Sequence, residues 1–208
     1  SHSRIECFEK CPFKYKLRYR DKILTLPPDN ADHPLIIGTA LHTGLEKGVT
    51  KAIDEYFMSY PIITDDHINE AIKLENLIPR AAKLIPKGEF EVKITTDDFI
   101  GYIDLLAPVT MFHDSEVPNQ YDIYDFKYSN NIKNYKQSDQ LHLYKYFFEK
   151  CNPGKYIRNM FFLFVPKVNI KKKKTEDLSE FRKRILDELK DVEHELVQIE
   201  YDPQNVIN

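Results

Sequence analysis

The 208-residue chain has no stretch approaching the roughly 18 apolar residues that a membrane-spanning helix needs. Nor does its start show a cationic segment leading into an apolar one, so no secretory leader is expected. It opens on Ser1 rather than Met, and a trimmed native N-terminus is the expectation. Cysteine is scarce. Cys7, Cys11 and Cys151 are too few for a disulfide framework and point to a reducing compartment, so the expected location is cytoplasmic. A large net charge is missing as well: 30 Lys and Arg against 33 Asp and Glu leave −3, which as an average argues against a nucleic-acid partner. What the chain does have is an ordinary globular balance, 42% hydrophobic and 30% charged, and enough length to bury a core.

The average hides a segregation. Residues 1–22 hold seven Lys/Arg against three Asp/Glu, residues 23–126 hold 7 against 18, residues 127–184 hold 15 against 5, and residues 185–208 hold 1 against 7. Two basic blocks therefore flank an acidic middle. Lys171 to Lys174 taken alone reads either as a solvated loop or as part of a binding surface.

Spacing predicts the element order. Ile5, Phe8, Phe13 and Leu17 recur near helical spacing, and Pro12 divides them into two short helices. Tyr15 and Tyr19 lie among Lys14, Lys16, Arg18 and Arg20; such a segment either stacks bases and holds phosphates or is an amphipathic helix with solvated cations. A loop at 27–30 precedes one helix over 35–59, in which Gly38, Gly44 and Gly48 signal close packing or a ligand's approach. A further helix spans 65–85. The period then changes to that of strands over 90–95, 99–106 and 121–127, the last two joined by a loop at 110–120. A helix over 132–150 puts Leu141, Tyr144 and Phe148 on one stripe. A buried strand at 156–165 and a long amphipathic helix at 175–200 complete the chain. This order favours an α/β fold with helices covering a central mixed sheet.

Three features can carry chemistry. Alternation puts Asp125 and Lys127 on one face of a strand end and Phe126 on the other; the pair either holds a metal and a water or is a surface ion pair. Asp104, flanked by Ile103, Leu105 and Leu106, is costly in an apolar strand unless it is paired, lies at an edge or binds a metal. His42 and Glu46 share a helix face at i, i+4, either as ligands or as satisfied structural residues. Together, one imidazole and two carboxylates from different elements suit a hard cation such as Mg²⁺ or Mn²⁺.

The order and spacing of these residues resemble the PD-(D/E)XK nuclease superfamily, specifically its RecB-like branch, from Ser3 to at least Tyr144. Ser3, Phe8, Cys11, Pro12 and Tyr15 follow that branch's N-terminal signature. Gly38 with His42 is similar to its G-x-x-x-H, Gly101 with Asp104 to G-x-x-D, Asp125-Phe126-Lys127 to the D/E-x-K core, and Gln140 with Tyr144 to Q-x-x-x-Y. The resemblance implies a single nuclease domain over 1–208, mainly helical over 1–87, with a restriction-endonuclease-like sheet core over 88–208. It implies an enzyme acting on DNA, with Mg²⁺ or Mn²⁺ held by His42, Asp104, Asp125 and the Phe126 carbonyl, and with Lys127 catalytic. Gln140 and Tyr144 would support the site or touch DNA, with Glu46, Tyr15 and Arg18 as further supporting or DNA-contacting residues. Glu91, or else Glu89, stands where relatives carry another acidic residue. Protein partners in recombination, phage replication or CRISPR adaptation fit the same branch. Some relatives carry a four-cysteine iron–sulfur cluster; the chain has Cys11 at the N-terminal position but no cysteine in Tyr201 to Asn208, so no cluster is expected on these residues. Cys7 and Cys151 are then expected to be small buried apolar residues. The rival reading is a nuclease-fold module that binds DNA ends without cutting.

Overall fold

Proline and glycine punctuate the helical N-terminal part. In the computed structural model, which describes residues 2–23, 29–97, 99–110 and 116–207, α1 (His2–Lys10) ends before Pro12, which opens α2 (Pro12–Tyr15) at the position where its missing N–H costs nothing. A π-helical turn, Lys16–Arg20, follows. The expected single helix over 35–59 is two, α3 (Pro34–Lys47) and α4 (Val49–Met58). Gly48 divides them at φ +93°, a backbone conformation that no helix continues through. α5 (Asp65–Ala81) carries on the packing. Pro27 and Pro28 of the expected loop lie outside the described residues.

The sheet has the order β1 (Glu89–Thr95), β2 (Ile100–Thr110), β3 (Glu116–Tyr128), β4 (Tyr156–Val165), β5 (Glu195–Ile199). β3 and β4 are parallel and every other pair is antiparallel. β2 and β3 extend into what spacing suggested was a loop at 110–120, because the ladder continues to Thr110 opposite Glu116 after an irregularity beyond Pro108. The helix expected over 132–150 is also two, α6 (Ile132–Lys136) and α7 (Gln140–Cys151). Gln137 and Ser138 donate back to the Asn134 and Tyr135 carbonyls and close the first. The helix expected over 175–200 stops early: α8 spans Leu178–Lys190, and residues 195–199 form β5 against β4. An Asp177–Glu180 capping box starts α8. At its other end the Arg80 guanidinium takes the Leu189 and Val192 carbonyls. A short α9 (Gln204–Ile207) ends the described chain.

Helices cover both faces of the sheet. On one, Ile37, Leu41, Leu74, Leu77 and Ile185 of α3, α5 and α8 meet Leu163 and Val165 of β4. On the other, the predicted stripe of Leu141, Tyr144 and Phe148 packs on Ile123, Phe162 and Phe164. Each such side chain contributes about 1.5–3 kcal/mol by leaving water. The two cysteines expected inside are not: Cys7 is half-buried and Cys151, the last residue of α7, is exposed. Helix ends lie at the surface, and Cys151 sits there rather than on the buried stripe.

Candidate active site

The end of β3 splits its residues between the two layers. The Phe126 ring enters the α3–α5 core and meets the His42 ring edge-on at 5.6 Å. Asp125 and Lys127 face α7. Asp125 is 1% exposed, and its Oδ2 lies 2.5 Å from Lys127 Nζ without a hydrogen bond of good geometry. Gln140, the first residue of α7, bridges the pair: its Nε2 donates to Asp125 Oδ1 at 2.6 Å and its Oε1 accepts from Lys127 at 3.1 Å. The same Nε2 lies 3.1 Å from the Tyr144 hydroxyl oxygen, one helical turn on. Two rings also face the ammonium, Tyr135 at 5.2 Å and Phe162 at 5.7 Å. Tyr135 sits on α6 in no motif, and the sequence offered no signal for it beyond an aromatic in a polar segment.

On the other side of Phe126, three residues converge. Asp104 Oδ2 accepts from the Phe126 N–H at 2.7 Å. Its Oδ1 lies 3.5 Å from His42 Nδ1, and Glu91 Oε1 lies 3.7 Å from the same nitrogen. His42 Nε2 donates to the Phe126 carbonyl at 3.1 Å. Ligand atoms of His42, Glu91 and Asp104 all lie within 4.8 Å of one another. Glu91 stands in the register between Phe90–Leu105 and Val92–Ile103, hence opposite Asp104, with φ +54°. A left-handed glutamate inside a strand costs on the order of 1–3 kcal/mol, a strain characteristic of functional sites. Glu89 instead faces Leu106 across the ladder.

Electrostatics follow from crowding carboxylates in a dry place. Burial, and then the Asp125 charge, push Asp104 up to about 7. Burial works to lower His42, but the Glu91 contact, the Asp104 and Asp125 charges and the Phe126 carbonyl outweigh it and raise the imidazole to about 9. The His42 contact holds Glu91 below the usual carboxylate range. Burial opposes the charge on Lys127, yet Asp125 and Asp104 raise it. A protonated His42 donating from both nitrogens thus holds the carboxylates together. The donor set, one imidazole with carboxylate and carbonyl oxygens around a buried Asp125 oxygen that lacks a hydrogen bond, fits a hard divalent cation.

Two clefts meet at this group. One of about 1330 Å³ is lined by Asp104, Lys127, Gln140 and Tyr144 and walled by α1. A smaller one of about 510 Å³ is lined by Gly38, His42, Glu46 and Glu91. Glu46 thus shares a cleft with His42 but pairs with Lys47 and stands outside the group of three. Tyr15 packs on Phe8 and Tyr19, and Arg18 lies over Tyr19, away from either cleft lining. The two motif glycines differ. A side chain at Gly38 would meet nothing within 4 Å, so packing does not require glycine there. A Cβ at Gly101 would sit 2.8 Å from the Phe99 ring and 2.9 Å from the Tyr144 ring. Gly101→Ala is therefore expected to displace Tyr144 and cost about 1–3 kcal/mol, read as a lower urea midpoint at unchanged slope.

The model of the PD-(D/E)XK nuclease superfamily matches residues 1–205. A solved structure from Eubacterium rectale, named as a candidate exonuclease, superposes with a TM-score of 0.52 at 14% identity, covering 89% of this chain and 77% of that one. It is similar in fold. No curated protein matches the sequence. A match over nearly the whole length, and a D-x-K strand end set against a helix in a mixed sheet, place the chain in the PD-(D/E)XK nuclease superfamily.

Proposed function

We propose that this protein is a Mg²⁺- or Mn²⁺-dependent deoxyribonuclease of the RecB-like branch, working as an exonuclease in DNA repair, recombination or phage-type DNA processing. The observation that carries this reading is the convergence of His42, Glu91 and Asp104 on the Phe126 carbonyl, directly beside the Asp125–Lys127 pair. Asp104, Asp125, His42 and the Phe126 carbonyl are the groups that would hold the cation, with Glu91 within reach. Bound there, it would supply positive charge to a phosphate oxygen and acidify a water.

The chain's own residues supply the rest. Phosphodiester hydrolysis asks for on the order of 20 kcal/mol of barrier lowering. Lys127 is fixed on three sides, by Asp125, Gln140 and Tyr135, so its ammonium can orient the attacking water and meet charge developing on the phosphoryl oxygens without reorganising. Gln140 sets the angle between Asp125 and Lys127, and Tyr144 holds Gln140. The basic N-terminal segment with Tyr15 and Arg18, and the basic block after 127, are where a phosphate backbone would lie. The family's motif order, and the exonuclease reading given to the Eubacterium rectale protein, support action from ends. A single domain over 1–208, joined to recombination, phage or CRISPR-adaptation partners, completes the reading.

The test is a timed digest of end-labelled linear DNA beside covalently closed DNA, with Mg²⁺, Mn²⁺ or EDTA. Label should be released from linear DNA only with metal, while closed circles persist. Binding of ends with no divalent-dependent product would instead identify an end-binding module.

A further inference from the structure

The larger cleft has walls of unusual composition for a nuclease site. Among the described residues lining it, only Arg4, Lys10 and Lys127 are cations, against five carboxylates. Lys10 is already paired with Glu6, and Lys127 with Asp125. Gripping a duplex means neutralising two phosphate backbones with Lys and Arg, and this lining cannot do it. What the walls offer is different. On the β2 side, Ile100 and Tyr102 turn 44% and 46% of their surface to solvent although they belong to an otherwise buried strand, and Leu143 of α7 joins them in the lining. Behind them Phe99 stacks on Phe147 at 4.2 Å, and Gly101 leaves room for Tyr144, so the platform is rigid. Facing it, the segment after β3 presents the exposed side-chain amides of Asn131, Asn134 and Gln137.

From these walls we infer that the cleft takes single-stranded DNA, with a base stacked on Tyr102 and base edges met by the amides of the 131–137 segment. Stacking platforms with neutral donors and acceptors suit unpaired bases, whose faces and edges are both free. This rests on the nuclease reading and sharpens it to a substrate class. In a duplex, base faces are hidden in the stack and Tyr102 has nothing to pack on. The strand end reaches Lys127 because the ammonium, Asp104 and Tyr102 line one continuous space.

The experiment compares one labelled strand with the same sequence as a blunt duplex, under Mg²⁺. Wild-type kcat/KM should favour the single strand by at least about tenfold. Tyr102→Ala should raise KM for the single strand about tenfold, the scale of one lost stacking contact, with kcat little changed, and Tyr102→Phe should restore it. A half-exposed residue is removed without hollowing the core, and a thermal melt checks this. Equal use of duplex and single strand, or an unchanged KM in Tyr102→Ala, overturns the inference while the metal-dependent product leaves the nuclease reading standing. Should wild type give no product at all, the nuclease reading fails, and binding of the two probes in EDTA decides the inference by itself: single-strand preference supports it and equal binding overturns it.

Discussion

Lys127→Ala is expected to lower metal-dependent DNA degradation about 10³-fold while the protein stays folded. The figure is what a single positioned proton-handling or charge-stabilising group supplies in a dry site. Nothing else on the page can substitute. Lys127 is the cation held against Asp125, Gln140 and the Tyr135 ring, and the other two cleft cations, Arg4 and Lys10, belong to α1, with Lys10 paired to Glu6. Deleting it also leaves Asp125, 1% exposed, without its counter-charge, so metal-free stability falls by several kcal/mol. Lys127→Met keeps the aliphatic stem against Phe162 and separates lost packing from lost charge. Circular dichroism establishes the fold and single-turnover digestion gives the rate. A Lys127→Ala protein that cut as fast as wild type would sink the mechanism.

The second expectation concerns pH. Asp104 is raised from its ordinary value to about 7, so the metal-free folded state holds a proton that the unfolded chain has released, and stability falls as pH climbs from about 4 to 7. His42 is raised to about 9. Its contribution is complete below its unfolded value near 6.5 and is lost as pH rises through 9. Both signs agree. Metal-free protein should melt progressively lower from pH 5 to pH 9, with a loss on the order of 3 kcal/mol from Asp104 alone. Mg²⁺ should restore most of it, and more at pH 8 than at pH 6, because a cation replaces the proton that binds the carboxylates together. Asp104→Asn, which keeps an oxygen for the Phe126 N–H, should flatten the profile between pH 5 and 7 and abolish the Mg²⁺ effect. Thermal melts across that range, with and without EDTA, measure all of this. A flat metal-free profile would mean that the carboxylates do not crowd as described.

The sequence was legible where the pattern is local. The strand at 156–165 matches β4 residue for residue, because ten β-rich residues bounded by Pro153-Gly154 and Pro166 admit one reading. Helix boundaries failed where a tertiary partner decides them. The end of α8 depends on Arg80, more than a hundred residues away, and β5 becomes a strand because the edge of β4 is there to pair with it. At Gly48 the signal was present and weighed as a propensity cost, whereas its positive φ makes it a break. In the site, the D-x-K alternation dictated which layer each side chain enters, and Phe126 and Lys127 lie accordingly. Glu91 could not be placed that way, since its approach to His42 accompanies a left-handed residue that periodicity does not foresee. Tyr135 reaches Lys127 only because α6 and α7 are separate helices.

The central claim is that a divalent cation held by these carboxylates and His42 turns a nuclease fold into a nuclease. Calorimetric titration of Mn²⁺ into the protein, run beside product formation from end-labelled single-stranded DNA at the same Mn²⁺ concentrations, tests it most directly. The expected result is one saturable transition whose midpoint coincides in heat and in product, with both signals absent from Asp104→Asn. Product formed in EDTA, or Mn²⁺ binding undiminished by Asp104→Asn, would contradict it.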